Sequence, residues 1–133
     1  YAEYYAPYEL PFGNRNEMDA LTQAGAYYQS GDYEQAVPAF RELLAQDPSR
    51  SKVPFALGIS QRELRQWAEA SAHFQQLIEN DDPLYAGLAR WYVSLCYLKT
   101  DNTASAVTQL ETLANDTGAV FQEEAAQLLK AIQ

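Results

Sequence analysis

The stretch SGDYEQAVPAF at residues 30–40 is echoed by RQWAEASAHF at residues 65–74. Each places a large aromatic residue three positions before an alanine and a phenylalanine four positions after it: Tyr33, Ala36 and Phe40 in the first stretch, Trp67, Ala70 and Phe74 in the second. The interval between the two alanines equals the interval between the two phenylalanines. A period of this length, about 34 residues, indicates a unit of two helices that is stacked along the chain.

Apolar residues recur at three- and four-residue spacing from residue 17 onward, which is typical of amphipathic helices. Gly31 suits the left-handed end of the first helix, and Asp32 suits the cap of the second. Pro38 lies inside the second helix, where we expect a kink or a compensating contact. The third unit follows at a slightly longer interval, since Ala106 corresponds to Ala70. We therefore predict seven helices, at about 17–30, 33–46, 51–64, 67–79, 84–99, 103–114 and 119–131.

A helix pair repeated at this period, with small residues where helices cross, resembles the tetratricopeptide repeat (TPR) family over about residues 17–133. The matching positions are Tyr27, Gly31, Tyr33, Ala36, Phe40 and Pro48 in the first unit, Leu57, Gly58, Ala70 and Phe74 in the second, and Tyr97, Ala106 and Leu110 in the third. Trp67 replaces the usual tyrosine of the second unit, and Gln61 and Arg65 stand where the first unit has Tyr27 and Gly31. These departures leave the period intact.

The resemblance implies an all-α fold, a right-handed α-solenoid of three TPR-like helix hairpins plus a C-terminal capping helix. The units span about residues 17–50, 51–84 and 87–118, and the capping helix spans residues 119–131. Three repeats and a terminal helix are the minimum that buries a continuous core.

Residues 1–16, YAEYYAPYELPFGNRN, are rich in tyrosine and proline and have no helical period. We predict an extended leader that lies along a surface of this domain or of a partner. Because the chain begins at Tyr1 and not at methionine, we expect it to be a piece of a longer protein, with room for a targeting segment or membrane anchor upstream. The leader also looks similar to the juxtamembrane start of bacterial envelope TPR proteins, which suggests a location in the cell envelope.

The composition restricts the partners. The chain has 133 residues and a net charge of −9, which disfavours nucleic acids and anionic membrane surfaces. Its single cysteine excludes an internal disulfide, and no apolar run approaches the ~18 residues of a membrane span.

Residues able to carry chemistry are few. His73 is the only histidine, so no histidine-based metal cluster is possible, and we expect it on a partly exposed helix surface. Cys96 lies in the apolar stretch WYVSLCYL, which indicates a buried structural thiol. The adjacent acidic pair Asp81-Asp82 is expected to be solvated. We therefore predict no catalytic residue, cofactor or metal, and an enzyme is the least favoured interpretation.

The resemblance implies that the first helix of each unit lines the inner groove of the solenoid, where a protein or peptide partner binds. The groove positions carried over from the family include Leu21, Tyr28, Phe55, Ile59, Arg62, Trp91, Leu95 and Lys99. They lie off the core stripe within each repeat, most are large and apolar, and exposed apolar patches usually mark interaction sites. The alternative is that some of them pack against the terminal helix or the first sixteen residues.

Three functions remain open from the sequence. The first is a protein-interaction scaffold that binds an apolar peptide, with an acidic group of the peptide near Arg62 or Lys99. The carboxylate clamp of chaperone-binding relatives is absent, because its positions hold Leu21, Gly25, Ala56, Leu88 and Tyr92. The second is a structural spacer, or a domain that self-associates through residues 1–16, in a membrane-anchored protein. The third is an enzyme.

Overall fold

The computed structural model of the protein describes residues 8–10 and 19–132. Within these residues the chain forms seven α-helices and no β-strand. The helices are α1 (Ala20–Gln29), α2 (Tyr33–Gln46), α3 (Lys52–Glu63), α4 (Trp67–Glu79), α5 (Ala86–Lys99), α6 (Thr103–Ala114) and α7 (Gln122–Ile132).

The predicted bounds of α2, α4 and α6 are confirmed, whereas the other helices begin slightly later than predicted. For α1, residues 17 and 18 lie outside the described part of the chain, and the helix begins after Asp19, whose side chain accepts a hydrogen bond from the Thr22 amide at 2.7 Å. For α5, Asp82 accepts hydrogen bonds from the amides of Leu84 and Tyr85 at 3.0 and 2.8 Å, which hold residues 82–85 in a turn.

Each helix packs chiefly against its neighbours in sequence, and α3 also contacts α5. Short connections place consecutive helices side by side as hairpins. Stacking of these hairpins in chain order produces an all-α solenoid, which confirms the predicted fold class.

Small residues lie where the helices of a hairpin cross. Ala36, Ala70 and Ala106 are completely buried. Gly58 of α3 packs directly on the ring of Phe74 in α4, and a Cβ atom at residue 58 would lie 2.7 Å from Cε1 of that ring. Glycine is therefore needed at residue 58 because α3 and α4 approach each other so closely there.

The turn that follows the first helix of each hairpin has the same backbone conformation in all three units. Gly31, Arg65 and Asp101 have φ angles of 79°, 63° and 61°. In each turn the following amide returns to the helix with a hydrogen bond of 2.8 Å, as from Gln66 to the Gln61 carbonyl. The second unit therefore keeps the same turn although it has Arg65 where the first unit has Gly31.

The second unit has Gln61 at the position where the first unit has Tyr27, and the helix that faces it also carries a different residue. Gln61 is buried, and its Oε1 lies 2.8 Å from Nδ1 of His73. The first unit has Ala39 at the position equivalent to His73. His73 is thus half-buried and hydrogen-bonded to its hairpin partner.

Pro38 does not interrupt α2, which runs continuously from Tyr33 to Gln46. Proline cannot donate a hydrogen bond to the carbonyl of Glu34, four positions earlier. Both residues are exposed, so a water molecule can donate a hydrogen bond to that carbonyl. Solvation thus replaces the hydrogen bond that Pro38 cannot make.

Candidate functional site

The first helices of the three hairpins each contribute one aromatic ring to a common surface. The rings belong to Tyr28 of α1, Phe55 of α3 and Tyr92 of α5, and we call this surface the aromatic face. The centroids of Phe55 and Tyr92 lie 5.9 Å apart at 71°, an edge-to-face arrangement that suits ring quadrupoles.

A single residue of the leader contacts all three helices of the aromatic face. The ring of Tyr8 stands edge-on to Phe55, with centroids 5.6 Å apart, and to Tyr92, with centroids 6.3 Å apart. The main-chain carbonyl of Tyr8 accepts a hydrogen bond from the hydroxyl of Tyr28. The leader therefore connects α1, α3 and α5 at residue 8.

The next two residues alternate in direction. Glu9 is exposed, whereas Leu10 is buried, and the Leu10 carbonyl accepts a hydrogen bond from Nε2 of Gln29 at 3.4 Å. This in–out–in pattern has the two-residue period of extended chain. Residues 8–10 therefore lie on the surface of their own domain, one of the two placements expected for the leader, while residues 1–7 and 11–18 lie outside the described part.

A charged group beside the aromatic face, the guanidinium of Arg62, already has partners. The guanidinium carbon of Arg62 lies 5.1 Å from the centroid of the Tyr92 ring, and its Nη2 lies 2.9 Å from Oε2 of Glu63. Burial raises the pKa of Tyr92 to about 12, against the opposing effect of Arg62, so Tyr92 is a neutral phenol at physiological pH. Burial likewise raises the pKa of Tyr28. Neutral rings of this kind suit apolar or aromatic groups.

The structure buries six of the eight residues carried over from the family: Tyr28, Phe55, Ile59, Arg62, Trp91 and Leu95. The sequence left open whether these positions form an exposed patch or pack against the terminal helix or the first sixteen residues. These six are buried, because stacked helices and covering residues enclose them. Tyr8 lies on Phe55, and Phe121, directly before α7, stacks on Trp91 with centroids 5.0 Å apart at 15°. A role for these six residues in binding a partner stays a prediction.

The other two residues lie apart from the aromatic face. Lys99 is the exposed last residue of α5. Leu21 is partly buried and lines an open cleft of about 560 Å³, where Leu84 is 68% exposed. The remaining lining residues are Arg50, Ser51, Lys52, Val53, Asp82, Pro83 and Tyr85.

Sequence reasoning missed four residues that build the site: Tyr8, Gln29, Tyr85 and Phe121. Tyr85 stacks on Phe55, with centroids 4.9 Å apart at 26°. The alternation of Tyr8, Glu9 and Leu10 was a usable signal, because an apolar–polar–apolar run marks an extended segment with one buried side. No comparable signal pointed to Gln29, whereas Phe121 lies in the predicted terminal helix at about 119–131, which was one of the two coverings considered for the groove residues.

The described residues hold no cluster of metal-ligating side chains. Within residues 8–10 and 19–132, no group of three or more His, Cys, Asp or Glu side chains is placed to hold a metal ion. Cys96 is a free, buried cysteine, and burial raises the pKa of its thiol to about 11. In the same part of the chain, no helix has the length and apolarity required to span a membrane.

Stacked hairpins, small residues at the helix crossings and a row of first helices with one shared face define a helical-repeat solenoid. A family model described as tetratricopeptide repeat matches residues 27–92, a stretch that includes α2, α3 and α4 entire. The chain is a member of the tetratricopeptide repeat family. Such repeats generally mediate protein–protein interactions, and the family is typically a non-catalytic scaffold. Comparisons with curated proteins and with solved structures gave no significant match.

Proposed function

We propose that this protein is a non-catalytic scaffold whose aromatic face binds an apolar segment of a protein partner. The observation that carries this proposal is the placement of residues 8–10 on that face. Tyr8 contacts rings of two helices and accepts a hydrogen bond from a third, and Leu10 is buried beside it. The face therefore accommodates a peptide segment through both side-chain and main-chain contacts.

The chemistry of the face favours apolar partners. Tyr28 and Tyr92 remain neutral because burial raises the pKa of each, and the charge of Arg62 is paired with Glu63. The net charge of −9 also repels strongly acidic chains at long range. A neutral or basic segment with aromatic and aliphatic side chains suits these conditions best.

A site-specific photo-crosslinker tests this function without damage to the core. Alanine at Phe55 or Trp91 is unsuitable, because both residues are fully buried and their truncation would cost about 3–5 kcal/mol. We would place benzoylphenylalanine at the exposed Gln29, next to Leu10, and in a control chain at the exposed Gln76 of α4.

The Gln29 probe is expected to capture discrete proteins from native extract that the Gln76 probe does not capture. Identical capture at both positions, or capture at neither, would contradict the scaffold function of this face.

Self-association is a second candidate, since the contacts of residues 8–10 can also form between two copies of the chain. If the protein self-associates in this way, light scattering should show a dimer at high protein concentration, and Leu10→Ser should convert that dimer to monomers. A protein that stays monomeric at all concentrations would contradict self-association and would show that residues 8–10 contact the aromatic face of their own chain.

A further inference from the structure

We propose that the aromatic face recognises an extended segment of the pattern aromatic–any residue–aliphatic, and that a partner segment of this pattern takes the place of Tyr8–Leu10. This inference rests on the proposed function and specifies its ligand. The occupant seen in the structure is the template, because its three residues use the face in three different ways.

The first residue of the pattern is selected by shape. The ring of Tyr8 makes interplanar angles of 87° and 82° with Phe55 and Tyr92, so its edge meets two ring faces at once. A flat aromatic side chain satisfies both contacts, whereas an aliphatic one loses the quadrupole attraction.

The second residue of the pattern can be of any type, whereas the third is selected because its side chain is buried. Glu9 is exposed, so the site places no requirement on the middle side chain. Leu10 is only 6% exposed, and it belongs to the same apolar cluster as Tyr28. A polar side chain at this third position would be desolvated without compensation.

The main chain of the segment is held independently of its sequence. Tyr28 donates a hydrogen bond to the carbonyl of residue 8, and Gln29 donates one to the carbonyl of residue 10. Two donors from adjacent residues of α1, aimed at alternate carbonyls of the segment, fit an extended backbone. Any segment with the right side chains at positions one and three can accept both hydrogen bonds.

A cleft beside residues 8–10 leaves room for a partner segment to replace them. This open cleft of about 440 Å³ is lined by Tyr8, Glu9, Leu10, Tyr28, Gln29 and Tyr33. The leader occupies the face as part of the same chain, so a partner competes with a local concentration in the millimolar range. Weakening the leader must therefore strengthen the binding of an outside segment.

The test uses the 133-residue chain and a fluorescent peptide of residues 5–13, YAPYELPFG, with binding read by anisotropy. We expect the Leu10→Ser chain to bind this peptide at least about tenfold more tightly than the unaltered chain. Adding Tyr28→Phe to Leu10→Ser should weaken binding again, because it removes the donor to the first carbonyl. In the peptide, alanine for the tyrosine at position 8 should abolish binding, whereas glutamine for the glutamate at position 9 should leave it unchanged.

Equal affinity of the unaltered and Leu10→Ser chains, or no binding by either, would overturn the inference. So would a large effect of the glutamine peptide, or a dimer of the unaltered chain that Leu10→Ser dissolves, which would assign the face to a second copy. If the peptide does not bind to the Leu10→Ser chain while the Gln29 crosslinker still captures proteins, the scaffold function stands and the proposed ligand pattern is wrong. If the peptide behaves as expected while the crosslinker captures nothing specific, the pattern stands and the scaffold function in the extract is wrong.

Discussion

The hydroxyl of Tyr28 donates a hydrogen bond to the main-chain carbonyl of Tyr8 in the leader. This contact fixes the leader to the first helix of the first hairpin at the point where Tyr8 also meets α3 and α5. Burial raises the pKa of Tyr28, so its hydroxyl keeps its proton and remains a donor at physiological pH. The hydrogen bond therefore contributes to holding residues 8–10 on the aromatic face, together with the ring contacts of Tyr8 and the burial of Leu10.

Replacing Tyr28 by phenylalanine removes this donor and keeps the ring. We expect the free energy of unfolding to fall by about 0.5–1.5 kcal/mol, the usual net value of such a hydrogen bond. Urea unfolding measures this change, and amide hydrogen exchange should become faster at residues 8–10. Tyr27→Phe is the matched control, because among the described residues the Tyr27 hydroxyl makes only an exposed contact of 3.3 Å with Nε2 of Gln23. Equal losses in the two variants would contradict the role assigned to Tyr28.

Replacing Gly58 by alanine tests the close packing of α3 on α4. The added methyl group would lie 2.7 Å from the ring of Phe74, which is completely buried, so the ring or one of the two helices must shift to admit it. We expect destabilisation by about 1–3 kcal/mol in thermal or urea unfolding.

Gly87→Ala is the control for Gly58, since no more distant part of the described chain comes within 4 Å of a Cβ atom at residue 87 in α5. Alanine there should be neutral or stabilising by up to about 1 kcal/mol, because it is the better helix former. Destabilisation of both variants by the same amount would show that the loss at Gly58 does not come from its close packing on Phe74.

Replacing Arg65 by glycine should stabilise the protein. Arg65 has a φ of 63°, a conformation that costs an ordinary L-residue about 1–2 kcal/mol. Glycine removes this strain but makes the unfolded chain more flexible, so we expect a net gain of about 0.5–1 kcal/mol in the free energy of unfolding. Gly31→Ala, at the equivalent turn with φ of 79°, should change stability in the opposite direction. A loss of stability in Arg65→Gly would mean that the arginine side chain contributes more than its backbone strain costs.

The repeat could be predicted because its main signals are local. The spacing of Tyr33, Ala36 and Phe40 reports contacts within one hairpin, and the same spacing in the next unit places Phe74 in the core. The turn at Arg65 was harder to recognise, since the left-handed conformation is normally signalled by glycine. Its hydrogen bonds nevertheless repeat those after Gly31.

The candidate site could be predicted only in part, because its contacts join residues far apart in sequence. Helical spacing located Phe55 and Trp91 on first helices, but it carried no information about what covers them. Both α1 and α2 separate Tyr8 from Phe55 along the chain, and α6 separates Trp91 from Phe121. Neither pairing has a periodic signature, so the sequence left open whether these rings are exposed or are covered by the terminal helix or the first sixteen residues.

The burial of His73 makes stability depend on pH near neutrality. Burial lowers the pKa of His73; a hydrogen bond to the backbone of Glu69 opposes this, and the positive charge of Arg41 lowers the pKa further. The folded state therefore binds a proton less readily than the unfolded state, whose histidine has a pKa of about 6.5. The resulting stability is present above pH ~6.5 and is lost as the pH falls through the lower pKa of the folded state. We expect the free energy of unfolding to decrease more between pH 7.5 and 5.5 in the unaltered protein than in His73→Gln, which cannot titrate and can still bond to Gln61. Parallel pH profiles of the two proteins in urea unfolding would show that the pKa of His73 is not depressed in the folded state.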